Sequence, residues 1–322
     1  MQKGDKIYIY FHADLDGVVS AFLMKKLLLA EGYTAEYGEY LNYGRVVKEG
    51  WNEYPFKEPF VIIDFKYHPK AIGYVDHHET HKMDCDLSGL QYCIFEPKAK
   101  ACTGLLEKLA ESKGVKLGRV KRLITQSEIV DAADYPKFGL KPIDYILPKR
   151  GFLKVARAIE DDNTIIPRIL HDLDEMRIAD WFDFRLESLA QKKYVRKIMI
   201  NLRGRVKKSF TDFKSSSKIV GDTVVYDFYG KEFFRYMPGV VYLKSKYWLG
   251  LVERDGNFAI KMGVNPWSKT RDAESNIDVG VIAKKYGGGG HKAVAAIPGL
   301  TNYDEAKRVL EEVKQKFVEK II

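Results

Sequence analysis

The sequence predicts an α/β fold: a domain built on a largely parallel sheet, then a basic linker helix, then a smaller α+β domain. Three observations carry this. Short apolar runs alternate with helix-like stretches through the first half of the chain, the pattern of a parallel sheet covered on both faces. Residues 185–218 hold eleven Lys and Arg against Glu187 and Asp212, so this one stretch carries the whole net charge of +9 and the remainder is neutral. Beyond it, strand-like segments crowd together around a hairpin signal, "ERDG". The expected boundaries are 1–184, 185–218 and 219–322.

Taken in order, "KIYIYFH" alternates as a strand, and "GVVSAFLMKKLLLAEG" carries apolar residues on a helical period and stops at Gly32. "TAEYGEY", "FVIIDF", "AIGYV" and "QYCIFE" are further strands, while "ACTGLLEKLAES" and "GRVKRLITQSEIVDAAD" read as helices. In the basic stretch Val195, Ile198, Leu202, Val206, Phe210 and Phe213 recur every three or four residues. They define an amphipathic helix with a basic outer face, free to bend at Gly204. "KSSSK" then reads as a polar break. "DTVVYDFY", "GVVYLKSKYWLGLVERDGNFAIKMGVN" and "NIDVGVIAKKYGGGGHKAVAAI" suggest a domain rich in antiparallel strands, closed by the helix "TNYDEAKRVLEEVKQKF".

Bulk properties exclude several classes. The 322 residues suffice to bury two cores, and 46% apolar with 30% charged residues is ordinary soluble composition. No apolar stretch is long enough to span a bilayer, and "MQKGDKIYIYFH" offers no signal segment, so a cytoplasmic location without a membrane partner is expected. Three cysteines, Cys85, Cys93 and Cys102, form no C-x-x-C pair, which argues against a disulfide framework.

The chemistry-bearing residues sit at strand ends. "FHADLDG" closes the first strand, and alternation points His12, Asp14 and Asp16 the same way. "FVIIDF" ends in Asp64, "IGYVDHH" supplies Asp76, His77 and His78, and Asp131 lies near the end of a helix. Any one of these reads equally as a cap or a turn. Together, converging carboxylates would repel and stay partly protonated unless a cation neutralised them. Mixed carboxylate and imidazole donors suit a divalent ion such as manganese, with magnesium as the second choice, and there are enough for two ions. Two ions about 3.5–4 Å apart are the usual device for cutting a phosphodiester.

"HADLDG", "IID", "VDHH" and "EIVDAAD", in that order, resemble the four signatures of the DHH phosphoesterase superfamily. The late "GGGGHKAVAA" is similar to the signature of the DHH-associated C-terminal domain of RecJ-type exonucleases, nano-RNases and cyclic-dinucleotide phosphodiesterases. The resemblance implies that His12, Asp14 and Asp64 hold one manganese ion, and that Asp16, Asp64, His77 and Asp131 hold the other. It further implies that His78 faces the scissile phosphate or its attacking water, while Asp76 orients the histidines. Gly288, Gly289, Gly290 and His291 would grip the non-scissile end of a substrate, since successive glycines let backbone N–H groups approach a phosphate. Two positions depart from the pattern. Ile297 stands where the family has glycine after the double alanine, and Asn265 stands where nano-RNase-like proteins carry a phosphate-binding arginine.

Other residues read more plainly. His81 and Cys85 are close enough to the histidine pair to suggest zinc, but no second cysteine pair completes the site. Cys93 and Cys102 are expected in the core, His68 in a loop and His171 on the surface. Phe234, Tyr236 and Trp267 fit either a core or base stacking, with the core favoured.

The basic helix reads either as a solvated connector or as a funnel for single-stranded nucleic acid through Lys192, Lys193, Arg196 and Lys197. The expected activity is manganese-dependent hydrolysis of single-stranded RNA or DNA or short oligonucleotides, exonucleolytic and releasing mononucleotides. The alternatives are a cyclic-dinucleotide phosphodiesterase, a phosphoadenosine phosphatase, or a nuclease-like scaffold in a replication or repair complex. Replication or repair proteins and a second copy of the chain stand as candidate partners.

Overall fold

The computed structural model describes residues 2–42, 46, 50–81, 87, 89–176, 183–254, 256–268 and 277–319. The chain divides into two compact units, one of residues 1–134 with 149–199 and the other of 135–148 with 200–322.

The first unit is built on five parallel strands: β1 (Lys6–His12), β2 (Thr34–Leu41), β3 (Phe60–Ile63), β4 (Gly73–Asp76) and β5 (Tyr92–Phe95). Their order is β2-β1-β3-β4-β5, and every pairing is parallel. Every residue of β3 and β4 is buried, as the unbroken apolar run "FVII" requires of a central strand. Tyr10, Leu41, Phe60, Ile62, Phe65 and Tyr74 belong to one apolar cluster of this unit.

Helix α1 (Leu15–Ala30) is buried without interruption from Leu15 to Met24, so it is an internal helix rather than a surface one. It touches β1 and the helices α2 (Cys102–Ser112) and α3 (Lys121–Asp131). Asp14 caps α1, accepting from the Gly17 N–H at 2.9 Å. A Cβ at Gly17 would stand 2.2 Å from the His12 carbonyl oxygen, so only glycine lets the helix start this close to β1. The chain leaves β1 toward β2 and returns on the other side as β3. That reversal opens a crevice at the carboxyl ends of β1 and β3, where ligands of such sheets bind.

Helices α4 (Pro142–Ile146), α5 (Gly151–Asp161) and α6 (Ile166–Glu175) follow. The expected single basic helix over 185–218 is two helices, α7 (Arg185–Leu189) and α8 (Lys193–Ser215), and Ser217–Val220 forms strand β6. The break is a turn in which the Gln191 and Lys192 N–H groups donate to the Ser188 and Leu189 carbonyls. "KSSSK" does carry the break: α8 ends at Ser215 and β6 starts at Ser217. Ser217 Oγ donates to the Phe213 carbonyl at 2.6 Å, and Ser217 pairs with Tyr226 in the sheet. The apolar face of α8 is as read from the sequence, with Val195, Ile198, Leu202, Val206 and Phe213 buried. The unit boundary, between residues 199 and 200, falls inside this helix.

The second unit carries a six-stranded sheet of order β10-β11-β9-β8-β7-β6. Its remaining strands are β7 (Thr223–Phe228), β8 (Tyr247–Arg254), β9 (Asn257–Val264), β10 (Gly289–Gly290) and β11 (Val294–Leu300). Only β7 and β8 pair in parallel; the other pairs are antiparallel. Helices α10 (Val279–Lys284) and α11 (Tyr303–Glu319) contribute Ile282, Leu310, Val313 and Phe317 to a core shared with Leu249, Leu251, Ile260 and Met262. The hairpin at "ERDG" is present, with Arg254 opposite Asn257 and Gly256 at φ +74°; Asp255 lies outside the described residues. "GVVYL", read as a strand start, instead begins inside α9 (Met237–Val241), where Pro238 sits in the first turn and favours helix initiation. Segment 135–148, expected in the first domain, belongs to this unit. Tyr135 stacks on Trp267 at 5.6 Å, and Trp267 Nε1 donates to the Leu140 carbonyl at 2.6 Å.

Candidate metal centre

His12 is the last residue of β1, Asp14 caps α1 and Asp16 lies in its first turn. Asp64 follows β3, Asp76 ends β4 and Asp131 ends α3. These positions bring the carboxylates and imidazoles predicted from the sequence to one end of the first unit's sheet. His12 Nδ1 lies 3.0 Å from Asp14 and 3.6 Å from Asp64 Oδ2. His77 Nε2 lies 3.1 Å from Asp131 Oδ2 and 3.8 Å from Asp64 Oδ1. Asp64 therefore stands at the centre, one oxygen toward His12 and the other toward His77. It is 1% exposed and holds a left-handed backbone, φ +58°, a conformation Asp tolerates better than most side chains.

Asp16 is held at the N-terminus of α2, where unpaired N–H groups and the helix dipole favour an anion. It accepts from the Cys102 N–H at 2.7 Å, the Thr103 N–H at 3.1 Å and the Ser127 hydroxyl at 3.0 Å.

Asp76 forms a separate, well-satisfied node behind the histidines. Its Oδ2 accepts from the Tyr74 hydroxyl at 2.8 Å and His81 Nδ1 at 2.7 Å. Its Oδ1 accepts from His78 Nδ1 at 2.9 Å and the His78 N–H at 3.3 Å. His77 is oriented differently, with Nδ1 donating to the Ala99 carbonyl at 3.0 Å. In both rings a proton on Nδ1 leaves the lone pair on Nε2.

The electrostatics follow from burial and crowding. Burial, with the charges of Asp64 and Asp131, pushes the Asp16 carboxyl up to about 8. Burial and the Asp14 charge push Asp64 up to about 6 against the pull of His12 and His78. For Asp76, burial is outweighed by hydrogen bonds from His78 and His81, which hold it well below the carboxylate range. Burial disfavours a charged His77, but Asp131, Asp64 and Asp16 together outweigh it and raise the ring to about 11. A cation would relieve the crowding, and the donors fit one. Asp64 Oδ2 is buried and accepts no hydrogen bond among the described residues. Two overlapping sets of donor atoms share Asp64: His12, Asp14 and Asp64, and Asp16, Asp64, His77 and Cys102. Within each set, all lie within 4.8 Å of one another. Carboxylate oxygens and imidazole nitrogens suit a divalent ion of the manganese type.

Several residues escaped the sequence reading. Tyr74 shares the face of Asp76 by strand alternation, a signal that was available. His81, weighed only with Cys85 for zinc, is buried against Asp76; Cys85 itself lies outside the described residues. Cys102, expected as a core hydrophobe, is buried, but its one S–H has a choice of two acceptors, Asp64 Oδ1 at 3.7 Å and the Val75 carbonyl at 3.6 Å. His68 does lie in a loop, yet its ring is buried against Trp51, Phe56 and Phe60.

The remaining candidates are placed as follows. Lys193, Arg196 and Lys197 are exposed on α8, while Lys192 Nζ pairs with Asp172 at 3.0 Å. In the second unit, Gly289 and Gly290 form β10 against β11. A Cβ on Gly288 would stand 2.2 Å from the Ala296 oxygen, and one on Gly290 2.4 Å from the Val294 oxygen. Close backbone approach alone therefore requires these glycines. The His291 N–H donates to the Val294 carbonyl at 2.8 Å. Asn265 is buried, donating to the Ser245 carbonyl at 2.8 Å and accepting from the Trp267 N–H at 3.1 Å, which is a structural role. Phe234 and Tyr236 are core residues.

No protein-family model matches the chain, and no curated protein matches it. Solved structures do. PggH, a pGpG-specific phosphodiesterase from Vibrio cholerae, aligns with a TM-score of 0.62 over 98% of this chain and 99% of its own, at 16% identity. An exonuclease RecJ bound to manganese aligns with a TM-score of 0.52 over 97% of this chain and 91% of its own, at 14% identity. At such identities the likeness is one of fold. Over nearly its whole length, the chain shares the fold of these two proteins.

Proposed function

We propose that this protein is a two-metal phosphodiesterase that hydrolyses single-stranded RNA or DNA or short oligonucleotides from an end, releasing mononucleotides. The observation that carries the reading is the position of Asp64 between the His12–Asp14 and His77–Asp131 pairs. His12, Asp14 and Asp64 would hold one ion, and Asp16, Asp64, His77 and Asp131 the other. Such ions, manganese or magnesium, supply stabilisation of the attacking and leaving oxygens at phosphorus. Within the protein, Ala99 fixes the His77 ring so that Nε2 is the donor atom. Asp76 fixes His78 in the same tautomer, leaving Nε2 to accept a proton from the attacking water or, when protonated, to bond the phosphate. In this reading the first unit is catalytic and the second binds substrate through Gly288, Gly289, Gly290 and His291. Lys193, Arg196 and Lys197 would track the backbone, with Lys192 contributing after release from Asp172.

A linear or cyclic dinucleotide is the second reading, favoured by the likeness to the pGpG-specific enzyme. Digestion of end-labelled RNA and DNA across a ladder of lengths, with manganese and with a chelator, decides between them. Metal-dependent stepwise shortening of long strands supports the exonuclease; cleavage confined to dinucleotides replaces it with the second reading.

A further inference from the structure

Cys102 opens α2 and is fully buried. A buried free cysteine ordinarily behaves as a small hydrophobe in an apolar lining. This one faces charge: its N–H holds Asp16 at 2.7 Å while its sulfur lies 3.7 Å from Asp64 Oδ1. The sulfur, a His77 nitrogen and an oxygen each of Asp16 and Asp64 all lie within 4.8 Å of one another. Donors bound to one ion at about 2.0–2.3 Å stand at most roughly 4.6 Å apart, so the four are within small adjustments of a common shell. His77 Nε2 lies 3.8 Å from the same Asp64 Oδ1, so the sulfur and the imidazole approach one oxygen of the central carboxylate.

We propose that Cys102 is a sulfur ligand of the ion held by Asp16, Asp64 and His77. A mixed sulfur, nitrogen and oxygen shell shifts this position from manganese and magnesium toward softer ions such as zinc, cobalt or cadmium. On binding, the thiol releases its proton to solvent and the sulfur takes the coordination position. The inference rests on the two-metal reading and deepens it by naming which ion the second position prefers.

The test is cobalt and cadmium titration of the full chain, following the sulfur-to-metal charge-transfer absorption together with bound-metal content. The band is expected in the wild type and in the Cys85→Ser/Cys93→Ser double variant, in which Cys102 is the remaining cysteine. It is expected to vanish in Cys102→Ser, whose cadmium affinity should fall about 10- to 100-fold while its manganese affinity changes far less. Two ions bound with no charge-transfer band in the double variant overturns the sulfur ligand and leaves the two-metal reading intact. Failure to bind any ion overturns both. Because the double variant leaves Cys102 untouched, the outcome does not depend on whether Cys102→Ser folds.

Discussion

The carboxyl end of the first unit's sheet and the sheet of the second unit both carry residues that the sequence singles out, yet they resolve differently. At Asp16, Asp64 and His77, buried beside the Asp131 carboxylate, ordinary carboxylate and imidazole protonation is displaced. At Asn265 and Trp267, each polar group finds one partner of the right type at ordinary distance. The lesson is that residue type does not mark a site. What separates the two is whether the fold crowds carboxylates together in a buried place or gives each polar group a neutral partner.

That contrast can be broken by substitution. The largest effect is expected at Asp64. Asp64→Asn keeps a side chain that tolerates the left-handed backbone, so circular dichroism should be unchanged. Phosphodiester hydrolysis should nonetheless fall roughly 10²–10³-fold or more, the scale of losing one stabiliser of developing charge. Manganese should raise the melting temperature of the wild type, by an amount equivalent to about 2.7 kcal/mol at a hundredfold excess over Kd, and should do so much less in this variant. Asp76→Asn leaves the metal donors in place and disturbs only the ring behind them. Its rate should fall about 10–100-fold, as for other groups supporting ligands, with metal content retained; loss of metal would place Asp76 among the ligands instead.

Smaller effects are expected away from the strand ends. Reversing Lys193, Arg196 and Lys197 to Glu should weaken binding of single-stranded nucleic acid and reduce the slope of log affinity against log salt by about 0.7 per lost phosphate contact. Hydrolysis of a dinucleotide should be nearly unaffected, and salt-independent binding by the wild type would show α8 to be a connector. Smallest for activity is Asn265→Ala. Urea unfolding should show a loss of about 1–3 kcal/mol from the groups left unpaired, with turnover per folded molecule unchanged. A large turnover defect with stability intact would return Asn265 to the substrate and close the gap between the two regions.

The strand ends were legible because central parallel strands announce themselves as short apolar runs, and "FVIID" places its acid directly after one. Alternation then fixes which neighbours share its side. The supports were less legible. Asp16 is held by Cys102, Thr103 and Ser127, 86 to 111 residues away in sequence, and nothing local forecasts a helix terminus arriving there. His81 reaches Asp76 only because Glu79–His81 forms a turn of 3-10 helix. The division of the basic stretch into α7 and α8 leaves no mark in composition. Strand β6 is equally silent, because "SKIV" joins the sheet through backbone groups that every sequence possesses.

The left-handed backbone of Asp64 leaves few interchangeable substitutes at that position. Glutamate keeps the charge but moves it one methylene further out on a backbone it adopts reluctantly. Glycine keeps the backbone and deletes the donor, and asparagine keeps backbone and shape but surrenders the charge. Anyone transplanting this centre into a designed scaffold would have to copy the φ of +58° after the third strand before copying the carboxylate, because the turn is what aims both oxygens at once.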